Sequence, residues 1–144
     1  MIFRRCGRQD IARALPLMMR GLSIFTAGMR PSQERVIAIA ERCVTDGYAA
    51  LAEKDEPCAY IGALPAENPF FDGIQLCVVG WYSEQAGAGF ALYRMMMAWA
   101  DSIPMIRSVL ITTNPDDRLR ATMEKMGALT VPSYLIVKDQ PCQF

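Results

Sequence analysis

The sequence predicts one α/β domain over residues 1–144, with a mixed central sheet flanked by helices on both faces. Three observations carry this reading. Apolar spacing switches between the strand and helix periods in the order strand, two helices, three strands, helix, strand, helix, strand. An apolar run ending at Val79 leads into a turn with glycines spaced G-x-G at Gly87 and Gly89. Beyond the turn a long helix pattern sets Ala88, Leu92, Met95 and Trp99 on one stripe.

Each element has its own signal. Ile2-Phe3-Arg4-Arg5-Cys6 reads as a first strand, and Asp10 can cap a helix carrying Ile11, Leu15, Met18, Met19 and Leu22. Pro16 should bend or shorten that helix, because proline removes a donor and crowds the preceding turn. After a loop from Ser23 to Pro31, Ser32 caps a second helix through Val36, Ile39, Ala40 and Cys43, stopping near Asp46-Gly47. Tyr48–Glu53 and Cys58–Leu64 read as a hairpin turning at Lys54-Asp55-Glu56-Pro57. Asn68 to Gly73 is a loop, and Ile74–Val79 a buried strand. Pro104 stops the main helix before a strand at Ser108–Thr113. Asn114-Pro115-Asp116-Asp117 opens a last helix with Leu119, Met123 and Met126 inward and Gly127 at its end. Val131–Lys138, with Pro132 near its start, is the final strand.

Composition narrows the class. The 144 residues are 52% hydrophobic and 21% charged, enough for a buried core and unlike a disordered chain. The apolar runs are too short to span a bilayer, and Met1–Arg8 is followed by no signal-peptide core, so an intracellular, cytoplasmic protein is expected. The five cysteines are scattered without a C-x-x-C pair and the chain has no histidine, which argues against a metal site and for reduced, mostly buried thiols. No basic run with interleaved aromatics suggests a nucleic-acid partner. The zero net charge is unevenly spread. Residues 1–42 carry eight arginines against three acids, and residues 43–91 carry one lysine against seven acids. We read this as solvated faces that cancel in the fold, with a partner surface or packing of the two halves on each other as alternatives.

The G-x-G turn is the feature closest to chemistry. Glycines let a backbone approach a ligand, and the first N–H groups of a helix, with its dipole, suit a phosphate or pyrophosphate. A tight packing turn would leave the same trace. The order of elements on both sides turns the reading towards a ligand.

That order and turn resemble the GNAT superfamily of acyl-CoA-dependent N-acetyltransferases, and closest the small GNAT-like proteins of bacteriophages and prophages. Val79-Gly80-Trp81-Tyr82-Ser83-Glu84-Gln85-Ala86-Gly87-Ala88-Gly89 is similar to the family's Val-x-Pro-x-x-Arg/Gln-x-x-Gly-x-Gly/Ala. Asn114 with Met123-Glu124-Lys125-Met126-Gly127 is similar to its Asn and Tyr-Glu-Lys-x-Gly. Asn68-Pro69-Phe70-Phe71 sits where the phage proteins carry a short aromatic loop.

The resemblance implies acetyl-CoA as cofactor. Its pyrophosphate would lie on the amides of Gln85, Ala86, Gly87, Ala88, Gly89 and Phe90, and its pantetheine along Cys77, Val78 and Val79, with Asn114 also at the site. The N–H near Val79 would polarise the thioester, and an amine would enter over Phe70 and Phe71. Two positions depart from the pattern. Glu84 stands where the loop usually opens with Arg or Gln, and Met123 stands where the usual general acid is a tyrosine. Tyr134 and Cys77 are the substitute catalytic candidates, against the simpler reading of both as strand residues. Two function classes follow. One is an acetyltransferase of weak or lost activity acting on an amine. The other is a catalytically lapsed GNAT fold serving as a bacteriophage virion component with protein partners.

Overall fold

Residues 1–24, 30–112 and 117–129 are described by the computed structural model. Strand β1 (Ile2–Arg5) runs into a one-turn 3-10 helix at Arg8–Asp10, followed by α1 (Ile11–Ser23) and α2 (Gln33–Asp46). Three strands come next, β2 (Tyr48–Glu53), β3 (Pro57–Glu67) and β4 (Ile74–Ser83), then α3 (Ala88–Asp101) and β5 (Ile106–Ile111). These lie in one compact unit, Met1–Thr112; α4 (Asp117–Lys125) belongs to a second, Thr113–Phe144.

The five strands form one sheet in chain order. Neighbours are antiparallel from β1 to β4, and β4–β5 is parallel. A hairpin turn suffices for the antiparallel pairs, whereas the parallel pair needs a crossover, which α3 supplies. Cross-strand partners share a face, so the register sorts the core. Tyr48 pairs with Ala63, and its ring lies 5.0 Å from Trp99 of α3. Gly62 and Leu64 face the other way, where Cys43 of α2 packs against Leu64 and Ala49. The sheet is thus covered by α3 on one face and by α1 and α2 on the other, as expected.

Several local expectations are corrected. Pro16 does not shorten α1, which runs seven residues beyond it. Both Pro16 and Ala12, whose carbonyl loses its donor, are exposed, where water can take the donor's place. The buried stripe of α1 is Ile11, Ala14, Leu17 and Gly21, not the larger residues beside it. At Gly21 an added Cβ would lie 2.7 Å from the Tyr82 side chain, so α1 sits too close to the sheet for a bigger residue. In α3 the centre of the stripe is Met96, one residue on from Met95, with Leu92, Tyr93 and Ala100 buried beside it. Strand β4 runs on to Ser83, four residues past the expected end, because Gly80 to Ser83 pair with Gly62 to Ala59 of β3. Strand β5 begins two residues early, at Ile106.

Asp10 does not cap α1. Its carboxylate turns back to accept from the Gly7 N–H at 2.8 Å and from both Nη atoms of Arg4 at 2.8 and 2.7 Å. Arg4 Nε also donates to Glu53 Oε1 at 3.0 Å, and Arg13 lies 3.2 Å from Glu53 Oε2. Ser32 does cap α2, accepting from the Arg35 N–H. In the second unit, Gly127 at φ +93° ends α4 as expected, whereas Met126 is exposed rather than inward. The expected strand at 131–138 lies outside the described residues.

Candidate functional site

The β4–β5 ladder runs from Ile74 with Ile106 to Val78 with Ile111 and goes no further. Strand β4 continues for five more residues, so beyond Val78 its β5-facing edge has no strand partner among the described residues. The register with β3 slips at the same point. Gly62 pairs with Gly80 and Ala63 with Val78, which leaves Val79 as the extra residue of a bulge. A bulge turns two successive residues to one face. A Cβ at Gly62 would lie 4.0 Å from Val79 Cγ2, and one at Gly80 2.9 Å from the Tyr60 ring, so both residues look towards α1 and α2.

The end of β4 feeds the glycine turn. Ser83 Oγ donates to the Gln85 carbonyl at 2.6 Å and accepts the Gln85 N–H at 3.2 Å, a serine turn that closes the loop. Ala88 N–H donates to the Gln85 carbonyl. Two of the six amides expected at a pyrophosphate, those of Gln85 and Ala88, therefore have intrachain partners. Ala86, Gly87, Gly89 and Phe90 supply the other four.

The two glycines do different work. Gly87 is the N-cap of α3 at φ +79°, with no side-chain cap, and a Cβ there would meet nothing within 4 Å. That side of the turn is open. At Gly89 a Cβ would press on Ser83 Cβ at 3.1 Å and Trp81 Nε1 at 3.2 Å, so its bare Cα lets the helix approach β4. Trp81 fixes that approach, its indole N–H donating to the Gly89 carbonyl at 3.0 Å while its ring stacks on Tyr93.

Glu84, the residue of the wrong sign, is neutralised. Its carboxylate accepts from Arg20 of α1 at 2.6 and 3.2 Å, and this pairing holds its pKa below the ordinary value. Arg20 carried no sequence signal, because the pair spans 64 residues. The Ser83–Gln85 spacing could have been read as a turn.

On the α1–α2 face a cavity of about 350 Å³ lies between the helices and the sheet, reaching Val79 and Gly80 at the bulge. Among the described residues, apart from Ser32 and Arg35 its side chains are apolar or carry neutral groups: burial pushes the Tyr60 hydroxyl up to about 12 and the Cys6 and Cys43 thiols up to about 11. Sequence reading missed this cavity, since its walls come from six separate elements.

Of the named candidates, Cys77, Val78 and Val79 run along β4 into the opening, and Gln85 to Phe90 gather at the start of α3. Cys77 pairs with Leu64 and Leu110 and is half-buried, a ladder residue facing α1 and α2. Phe70 and Phe71 are exposed at 84% and 75%. Tyr134 and Asn114 lie outside the described residues. Among the described residues no cluster of acids and cysteines could hold a metal, and no helix is long and apolar enough to cross a membrane.

No family model matches the chain, and no curated protein does. Solved structures match over nearly their whole length. A predicted acetyltransferase from Clostridium acetobutylicum, solved with acetyl-CoA, superposes with a TM-score of 0.73 at 14% identity, covering 95% of each chain. The glucosamine-6-phosphate N-acetyltransferase of Arabidopsis thaliana superposes with a TM-score of 0.69 at 12% identity, over 96% of this chain and 98% of that one. With its mixed sheet, its opening at Val78 and its glycine-led helix, this chain has the fold of the GNAT acetyltransferases.

Proposed function

We propose that this chain binds acetyl-CoA between β4 and β5 and transfers its acetyl group, slowly, to an amine, working in the cytoplasm as a single domain. The parallel ladder that opens at Val78, with the α3 N-terminus beyond it, is the observation that carries the reading. An opened ladder leaves backbone groups for the pantetheine amides, and the helix start favours an anion. The residues present fit such a guest. Gly87 leaves space, the N–H groups of Ala86, Gly87, Gly89 and Phe90 donate to no acceptor among the described residues, and Arg20 cancels the charge of Glu84.

Acetyl-CoA supplies the thioester. Cys77 to Val79 would align it, and the N–H at the Val79 bulge would donate to the carbonyl oxygen as charge develops there. With acetyl-CoA bound, the amine nitrogen would form the new bond to the carbonyl carbon as the C–S bond breaks; the nitrogen would give up a proton to water and the leaving thiolate would take one up. Met123 offers none at the position matched to the family's tyrosine, so that proton comes from water or from Tyr134. Loss of a general acid costs about 10²–10⁴ in rate.

Calorimetry with acetyl-CoA tests binding. Saturable heat in the wild type and its loss in Gly87→Asp are expected; no binding by the wild type overturns the proposal. A thiol-release assay should then show slow turnover that rises with pH as the amine deprotonates. Brisk transfer at neutral pH would show that an efficient acid is present after all.

Met123 also favours a second reading, a lapsed fold kept for binding, with the exposed Phe70–Phe71 pair as its contact surface in a phage particle. Acetyl-CoA affinity without turnover, together with the protein's presence in purified particles, would establish it.

A further inference from the structure

We propose that the cavity between α1, α2 and the sheet takes a monoamine with an apolar body, bound as the free base. Calling that amine the acetyl acceptor rests on the acetyl-transfer reading; the binding itself does not. Three observations carry the inference. The space is about 350 Å³, roughly twice the ~150 Å³ that holds benzene, so it accommodates an aromatic ring with a short chain. It reaches Val79 and Gly80 at the bulge, where the ladder opens and the reacting carbonyl would lie. Among the described residues its lining contains no carboxylate, and the one charged side chain there is the cation Arg35.

The last point selects the ligand. An ammonium drawn into the apolar part of the cavity loses hydration and meets no opposite charge among the described side chains, so the neutral form is favoured there. The amine leaves its proton with solvent water and enters neutral, with its lone pair available. Desolvation thereby does what a carboxylate base would otherwise do. A polyamine or aminoglycoside, with several ammonium groups and little apolar surface, does not fit.

The groups facing the space do not obscure the expected pH dependence. Alpha1, β2 and β4 contribute no titratable side chain to it. Cys6, Cys43 and Tyr60, from the segment after β1, from α2 and from β3, stay protonated below about 11, and Arg35 of α2 carries a fixed charge.

Calorimetry on the full chain without cofactor tests this, with 2-phenylethylamine, aniline and spermidine as probes. The affinity for 2-phenylethylamine should rise about tenfold per pH unit from pH 7 to 9, because an alkylammonium titrates near 10.4. Aniline, already neutral, should bind with no such slope, and spermidine should not bind at the same concentrations. Val36→Phe, which fills the cavity, should abolish binding of both monoamines. A photoreactive phenylethylamine should label Cys6 or the cavity walls of α1, α2, β2, β3 or β4 in the wild type, which keeps the test sharp if the variant misfolds. Equal binding of spermidine, a flat pH profile for 2-phenylethylamine, labelling elsewhere or no binding each overturns the proposal. Amine binding without acetyl-CoA binding would remove the transferase reading and leave this one standing.

Discussion

At the scale of single residues, Gly87 and Gly89 divide the demands of the turn between backbone conformation and packing. An L side chain at φ +79° is strained, though asparagine tolerates it better than most. Gly87→Asn should therefore keep acetyl-CoA affinity within a few-fold, whereas Gly87→Asp, adding a negative charge on the open side, should lose it. Gly89→Asp should instead act through the fold. Its Cβ is driven against Ser83 and Trp81, and overpacking of this kind costs about 1–3 kcal/mol, readable as a lowered urea midpoint. An unchanged midpoint would show that α3 can back away from β4. Arg20 matters through its charge. Arg20→Ala should expose the Glu84 carboxylate beside the turn and weaken acetyl-CoA binding about two- to fivefold at low salt, an effect that fades near 1 M. Affinity that ignores both the substitution and the salt would mean that Glu84 lies outside the field of the site.

At the scale of elements, β4 and α3 are fitted to one another. The bulge at Val79 re-aims β4, Trp81 beyond it docks on Phe90 and Tyr93, and that contact sets where the helix starts. The inward row of α3 is centred on Met96, which is fully buried, with Met95 at the margin. Met96→Ala should cost about 2–5 kcal/mol in denaturant unfolding, as large-to-small changes at buried sites do. Met95→Ala should cost less than half as much. Equal losses would return the stripe to the position that simple helical spacing gives it.

At the scale of the molecule, the uneven charge finds a use that sequence reading had placed second. Arg4, Arg13 and Arg20 from the basic N-terminal part pair with Glu53 and Glu84 from the acidic middle, so the two halves pack on each other at these points. Among the described residues the most buried charge is Asp10, whose carboxyl the Arg4 guanidinium holds at about 2 against an ordinary 3.8. Between those values the unfolded chain binds the proton and the folded chain does not. The stability from this group is complete above about pH 4 and is lost as pH falls through 2. It amounts to about 2 kcal/mol, at 1.36 kcal/mol per pKa unit. Asp10→Asn should be less stable at pH 7 and should flatten the acid limb of the unfolding midpoint against pH. An acid limb identical to that of the wild type would place the sensitivity on other carboxylates.

The sequence by itself determined the order and kind of the described strands and α-helices, though not the 3-10 turn at Arg8–Asp10. It bounded β2 correctly, and it located Ser32 and Gly127 as helix ends and the glycine turn at the head of α3. Periodicity, capping residues and positive-φ glycines act over a few residues, so a linear reading sees them. The resemblance carried by the pattern ending at Gly89 also pointed to Cys77–Val79, the segment at which the ladder opens. Only the tertiary structure decided the rest. The extension of β4 to Ser83 depends on pairing with β3, and the one-residue shift of the α3 stripe on how the helix packs against the sheet. The partner of Glu84 lies 64 residues away, and the cavity exists only because two helices, three strands and the segment after β1 wall it together. Packing and charge pairing are properties of distances in space, and chain spacing constrains those only within an element.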